Sequence, residues 1–145
     1  MAFPPPRLRQ QLEQAIRARL PPRPALVLVT DLDGTLLGGS PGGRRRFYRW
    51  LAARRQVVLH VFNTGRDLIS IARVLEEEES MGLASPHLVI GDVGCTVACG
   101  VSLAPIAPVI EPIQQRWQGQ PERLLPLLQG IPGLSPQPVS MVRRL

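Results

Sequence analysis

Ala25-Leu26-Val27-Leu28-Val29-Thr30-Asp31-Leu32-Asp33-Gly34-Thr35-Leu36-Leu37 is the stretch on which the reading of the whole chain turns. Its first six residues are a continuous apolar run rich in β-branched side chains, which predicts a strand buried on both faces of a parallel sheet. The run stops at Asp31, where carboxylates and a glycine take over. Parallel sheets bind ligands beyond the carboxyl ends of their strands, so this abrupt transition marks a candidate site.

The same pattern recurs further along the chain. Val57-Val58-Leu59-His60-Val61-Phe62 predicts a second buried strand, ending at Asn63-Thr64-Gly65-Arg66, and Leu88-Val89-Ile90 predicts a third. Between them, Phe47, Trp50, Leu51 and Ala52 space a helix over Arg45 to Arg55, after a glycine-rich loop. A second helix is expected from Asp67 to Ser80, with Leu68, Ile71, Ala72 and Leu75 inward and Asp67 in the first turn, where a carboxylate suits the helix dipole. Strands alternating with helices specify right-handed crossovers and a three-layer α/β fold with a parallel sheet. Past Gly91, Val93 to Val101 predicts a small hairpin, followed by helical stretches at Ile110 to Gln118 and Glu122 to Gln129 and a loop-like tail. Prolines at both ends isolate a helix-like stretch from Leu8 to Leu20. The expected organisation is an N-terminal helical extension (1–24), a core (25–108) and a further region (109–145).

Composition narrows the function classes. The 145 residues contain 17 basic side chains, all arginine, against 11 acidic ones, for a net charge of +6. The arginines are scattered, and only three Phe, two Trp and one Tyr accompany them, so no stacking platform for single-stranded nucleic acid is visible. Biased codon usage explains the arginines more simply, and nucleic acid is not expected as a partner. The longest apolar run falls far short of a spanning helix, so no membrane is expected either. No apolar segment follows the basic start, which makes the cytoplasm the default location. Cys95 and Cys99 form no metal-ligand spacing and are expected as small buried residues. His60 and His87 are expected to be structural. The run Glu76 to Glu79 reads as a solvated helix face, because consecutive helical residues point in different directions.

The carboxylates are the chemical signal. Leaving a buried strand, Asp31 and Asp33 can both face the cleft while Leu32 turns back to the core. A carboxylate beside a divalent cation is a good phosphoryl acceptor, since the metal cancels the repulsion between two anions. A second carboxylate two residues on can give a proton to the leaving oxygen and later take one from water. Gly34 lets the backbone bend close to a phosphate. Thr64 reads equally as the cap of the following helix, and Arg66 as an ion-pair residue or a phosphate clamp.

Asp31-Leu32-Asp33-Gly34-Thr35 resembles the first signature, DxDGT, of the haloacid dehalogenase superfamily of phosphohydrolases, and Asn63-Thr64-Gly65-Arg66 is similar to the second signature of its subclass with a C2B-type cap. His87 to Cys95 looks like the third strand of sucrose-phosphate phosphatases and their relatives, with Cys95 where Thr is usual. The resemblance implies a Rossmann-like core and the start of a cap domain. It also implies hydrolysis of a sugar phosphate through an aspartyl-phosphate on Asp31, with Asp33 as acid and base. Gly34, Thr35, Thr64, Gly65 and Arg66 would hold the substrate, and Asp31 and Asp33 would bind Mg2+. The family's third signature supplies a lysine and its fourth, GDxxND, supplies acidic metal ligands; neither is found here. The expectation is therefore an N-terminal fragment with weak metal binding. In it, residues Ala25 to Thr30 would form an exposed apolar edge, open to a protein partner. The rival expectation is a non-catalytic module that docks by that edge on a sugar-phosphate-metabolising enzyme.

Overall fold

The computed structural model describes residues 20–135 together with Gln10, Gln14, Ile16 and Arg17. The helix expected over Leu8 to Leu20 falls largely outside the described residues. Strand β1 (Leu26–Thr30) leads through a tight turn into helix α1 (Pro41–Ala53), strand β2 (Val58–Asn63), helix α2 (Leu68–Glu79) and strand β3 (Leu88–Gly91). A one-turn 3-10 segment, Asp92–Gly94, precedes β4 (Thr96–Cys99), and helices α3 (Ala107–Trp117) and α4 (Gln120–Leu128) follow. By internal contacts the chain divides into two units, residues 1–110 and 111–145.

The four strands are ordered β1-β2-β3-β4. β1 pairs with β2 in parallel, Thr30 opposite Phe62, and β2 pairs with β3 in parallel, Phe62 opposite Val89. β4 returns antiparallel along β3, Gly91 opposite Thr96. The α/β class expected from the alternating pattern is the one observed. The expected hairpin is placed differently: β4 pairs back on β3 rather than folding within Val93 to Val101, because the turn falls at Asp92–Gly94.

Two successive right-handed crossovers that step the same way across a sheet put their helices on one face. Accordingly Tyr48 of α1 and Ile71 and Val74 of α2 share one cluster with Phe62, Val89 and Ala98 of the sheet and Leu32 and Leu36 of the first turn. Full burial of each large apolar side chain stabilises the fold by roughly 1.5–3 kcal/mol. α1 starts at Ser40, whose side chain accepts from the Gly43 amide, and Pro41 sits at its first position, where a missing N–H costs nothing. α2 is capped by Asp67, which accepts from the Ser70 amide at 2.7 Å. Thr64 is therefore not the cap.

The expectation that β1 is buried on both faces is corrected. Leu26, Val27 and Val29 are 46%, 56% and 55% exposed. Among the described residues β1 pairs with one strand only, so it lacks the second neighbour that encloses β2, where Val58 through Phe62 are all buried.

The first turn is tied to the helical layer. The buried Tyr48 hydroxyl lies 3.1 Å from the Leu36 carbonyl oxygen and 3.0 Å from Glu78 Oε2, and Arg44 Nη1 meets Glu78 Oε1 at 2.7 Å. Burial pushes the tyrosine pKa up to about 12. Glu78 is thus a tether between the two helices, not simply part of a solvated face. Within the sheet, His60 Nε2 meets Thr30 Oγ1 at 2.9 Å, and the His60 amide donates to His87 Nδ1 at 3.1 Å. Burial and the neighbouring His87 and Arg55 hold the His60 pKa down at about 4. Both histidines are structural, as expected. Cys99 is half-buried but Cys95, lying just outside β4, is exposed, which corrects the expectation of two buried cysteines.

Candidate active site

Because β1, β2 and β3 run parallel, the loops that leave them emerge at one edge of the sheet. Each candidate residue lies in one of these loops. Asp31 is the first residue after β1, extended (φ −73°, ψ 161°) and exposed. Leu32 turns inward and is fully buried, while Asp33 points out with its side chain 59% exposed. This is the in-and-out alternation expected of the two carboxylates. The turn Leu32–Leu36 closes with the Leu36 amide on the Asp31 carbonyl at 3.2 Å and the Leu37 amide on the Leu32 carbonyl at 2.9 Å. Gly34 sits at φ +70°, a left-handed conformation that favours glycine, and Thr35 is exposed beside it.

At the end of β2, the Thr64 amide donates to the Ile90 carbonyl at 2.9 Å, which fastens this loop to β3. Thr64 is buried, and its Oγ1 accepts from the Arg66 amide at 3.3 Å. Gly65 is exposed between them. Arg66 then reaches across to the first loop: its Nε donates to Asp33 Oδ2 at 2.8 Å and its Nη2 to Asp33 Oδ1 at 2.6 Å. This two-pronged contact holds the Asp33 carboxyl below the usual carboxylate range and raises the Arg66 pKa. Of the two sequence readings of Arg66, the ion pair is the one observed. At this exposure the pair adds little to stability, so its weight lies in positioning and charge.

A third loop adjoins these two and was not read from the sequence as part of the site. The Asp92 amide donates to the Arg66 carbonyl at 3.0 Å, Thr96 Oγ1 donates to Asp92 Oδ2, and Val93 Cγ2 faces the side of Gly65 where a Cβ would stand. Gly91 permits this approach, since a Cβ there would fall 2.9 Å from the Arg66 carbonyl oxygen. The only sequence signal for the turn is the glycine on either side of Asp92-Val93.

The two carboxylates at this edge are hard oxygen groups of the kind magnesium takes, although both Asp33 oxygens accept from Arg66 here. Among the described residues no group of three or more His, Cys, Asp or Glu side chains is gathered to hold a metal. The donor type therefore fits magnesium, with the remaining positions left to water and to oxygens of a bound phosphate. Among the described residues, no helix is long and apolar enough to cross a membrane.

Comparison with known proteins agrees with this geometry. Residues 24–144 match the family model described as sucrose-6F-phosphate phosphohydrolase. Over 94 residues the chain is 38% identical to a glucosylglycerol-phosphate synthase of Pseudomonas anguilliseptica, a match that takes in 65% of this chain and 12% of that protein. Among solved structures it is similar to the sucrose-phosphatase of Synechocystis sp. in complex with sucrose and phosphate (TM-score 0.68, 24% identity, 83% of this chain and 46% of that one). It is also similar to a haloacid dehalogenase-like hydrolase protein of Bacillus subtilis (TM-score 0.55, 13% identity, 81% of this chain and 57% of that one). The two structural likenesses establish the fold. The chain spans 12% of the curated relative's length and about half of each solved structure's.

Proposed function

The chain belongs to the sucrose-6F-phosphate phosphohydrolase family, and we propose that it hydrolyses a sugar phosphate, with Asp31 as the nucleophile. The observation that carries this reading is the meeting of two loops at one sheet edge. An exposed Asp31 and Asp33 leave β1, and Thr64 to Arg66 leave β2 and touch Asp33 directly. In the proposed reaction an Asp31 carboxylate oxygen attacks phosphorus, the bond from phosphorus to the sugar oxygen breaks, and Asp33 delivers a proton to that oxygen. Asp33 then takes a proton from a water that attacks the phosphorylated Asp31, and inorganic phosphate leaves. Thr64, Gly65, Gly34 and Thr35 hold the phosphate oxygens. Asp31 and Asp33 would hold magnesium, which would supply charge that offsets the repulsion between the phosphate and the attacking carboxylate.

Arg66 has a role on each side of the reaction. Paired with Asp33 it favours the carboxylate, whereas a proton donor needs the acid. Its transfer from Asp33 to the arriving phosphate lets the Asp33 pKa rise and places a two-pronged cation on the substrate. Residues 109–135 belong to the cap that would read the sugar, and the reaction takes place in the cytoplasm. The resemblance to part of a glucosylglycerol-phosphate synthase supports a sugar-phosphate substrate. Phosphate release from sucrose 6F-phosphate in magnesium buffer tests this. Turnover by the native chain that disappears in Asp31→Asn supports it; turnover retained in Asp31→Asn rules it out.

A second reading is favoured by the exposed outer edge of β1. Here the chain is a non-catalytic module that docks on a sugar-phosphate-metabolising enzyme. Mixing it with such an enzyme would then shift its elution in size-exclusion chromatography even where Asp31→Asn changes nothing.

A further inference from the structure

Three consecutive residues between β3 and β4 have left-handed backbones: Asp92 at φ +51°, Val93 at +56° and Gly94 at +89°. Glycine is at home there, aspartate is tolerated, and a β-branched valine is a genuine outlier. Such strain persists only where the surroundings fix the backbone. Here they do so from both sides. The Asp92 amide is held by the Arg66 carbonyl, the Asp92 carboxylate by Thr96 Oγ1, and the Cys95 amide donates to the Asp92 carbonyl at 3.1 Å.

The strained residue is also an apolar one held in the open. Val93 is 86% exposed, yet its Cγ2 faces Gly65, in the loop assigned to the phosphate, 3.8 Å from where a Cβ on that glycine would stand. An isopropyl group gains nothing from water, and the conformation that presents it is unfavourable, so neither packing nor local propensity accounts for the arrangement. Contact with a ligand does.

We propose that Val93 is a specificity-determining residue, held by the strained turn against the part of the substrate that lies beyond the phosphate, where its isopropyl group packs on the carbon face of the sugar. This rests on the phosphatase reading and deepens it: Thr64 and Gly65 take the phosphate, and their neighbour Val93 takes the group attached to it. A sugar ring presents C–H faces between its hydroxyl edges, and an apolar side chain that buries one of them discriminates against phosphates without that ring.

Binding to the full chain in magnesium buffer tests the assignment, with sucrose 6F-phosphate and inorganic phosphate as separate probes, Asp31→Asn in every chain so that the substrate is not turned over, and the native Val93 compared with Val93→Ala and Val93→Gly. Both variants should bind sucrose 6F-phosphate about 10-fold more weakly and inorganic phosphate within about twofold of the chain that keeps Val93. Val93→Gly should also melt a few degrees higher, because glycine accepts the left-handed backbone. Unchanged affinity for sucrose 6F-phosphate in Val93→Ala would overturn the assignment. An equal loss for both probes would overturn it too, since the turn would then act by shaping the phosphate loop. If the chain that keeps Val93 binds inorganic phosphate but not sucrose 6F-phosphate, the sugar contact is refuted while the phosphate site stands. If it binds neither, the phosphatase reading fails and this inference with it.

Discussion

Asp33 carries the chemistry most exposed to test by single substitutions. Its side chain is 59% exposed and its carboxylate is held by Arg66, so Asp33→Asn should fold as the native chain does while turnover falls about 10²–10⁴-fold. Phosphate release and a thermal melt, measured together, check both halves of that statement. Arg66→Lys should raise KM, because a compact ammonium cannot reproduce the two-pronged grip on Asp33 or on a phosphate. His60 provides a pH test of the fold. Its pKa is about 4 in the folded chain and about 6.5 when unfolded, so below pH 6.5 the unfolded chain takes up a proton that the folded one refuses. Stability is complete above pH 6.5 and declines as the pH falls towards 4, by roughly 3 kcal/mol in all. The melting midpoint should drop between pH 7.5 and 5 in the native chain and drop less in His60→Gln; equal slopes would contradict the assignment. The placement of Asp31, Asp33, Thr64 and Arg66 at one sheet edge was legible because each lies in the loop that leaves a strand of a parallel sheet. Val93 was not, since nothing in its side chain announces a left-handed backbone.

At the scale of elements, the turn after β1 is held from outside by Tyr48, which bridges the Leu36 carbonyl and Glu78. Tyr48→Phe leaves the ring in the core and removes the bridge, so the fold should lose about 1 kcal/mol, visible in denaturant unfolding. Strand and helix positions follow from periodicity, and the sequence reading places β1, β2, β3 and α2 to within a residue or so. α1 extends four residues earlier than expected because Ser40 and Pro41 start it, and a cap and a first-position proline outweigh the two glycines that follow. β4 shows the limit of such reading: whether an apolar stretch pairs with itself or with the preceding strand depends on the turn, and this one depends on three positive φ angles.

For the whole molecule, the governing fact is that β1 lies at the edge of the sheet. Burial of β1 on both faces was expected from its composition, but composition records how much apolar surface a strand carries, while topology decides how much of it is covered. Among the described residues a second apolar surface lies in the other unit, where Leu124, Leu125, Leu127 and Leu128 of α4 are 39–71% exposed. Contiguous apolar surface on this scale binds partners or self-associates. The chain should therefore bind a hydrophobic dye such as ANS, less so after Leu127→Glu and Leu128→Glu. In the proposed reaction the phosphoryl group passes through one carboxylate. Rapid quenching of the chain with magnesium and phosphorus-32-labelled sucrose 6F-phosphate, followed by peptide mapping, follows that transfer directly. Acid-stable label on a peptide containing Asp31, absent from Asp31→Asn, is the expected result. Hydrolysis with no labelled peptide, or with label elsewhere, would contradict it.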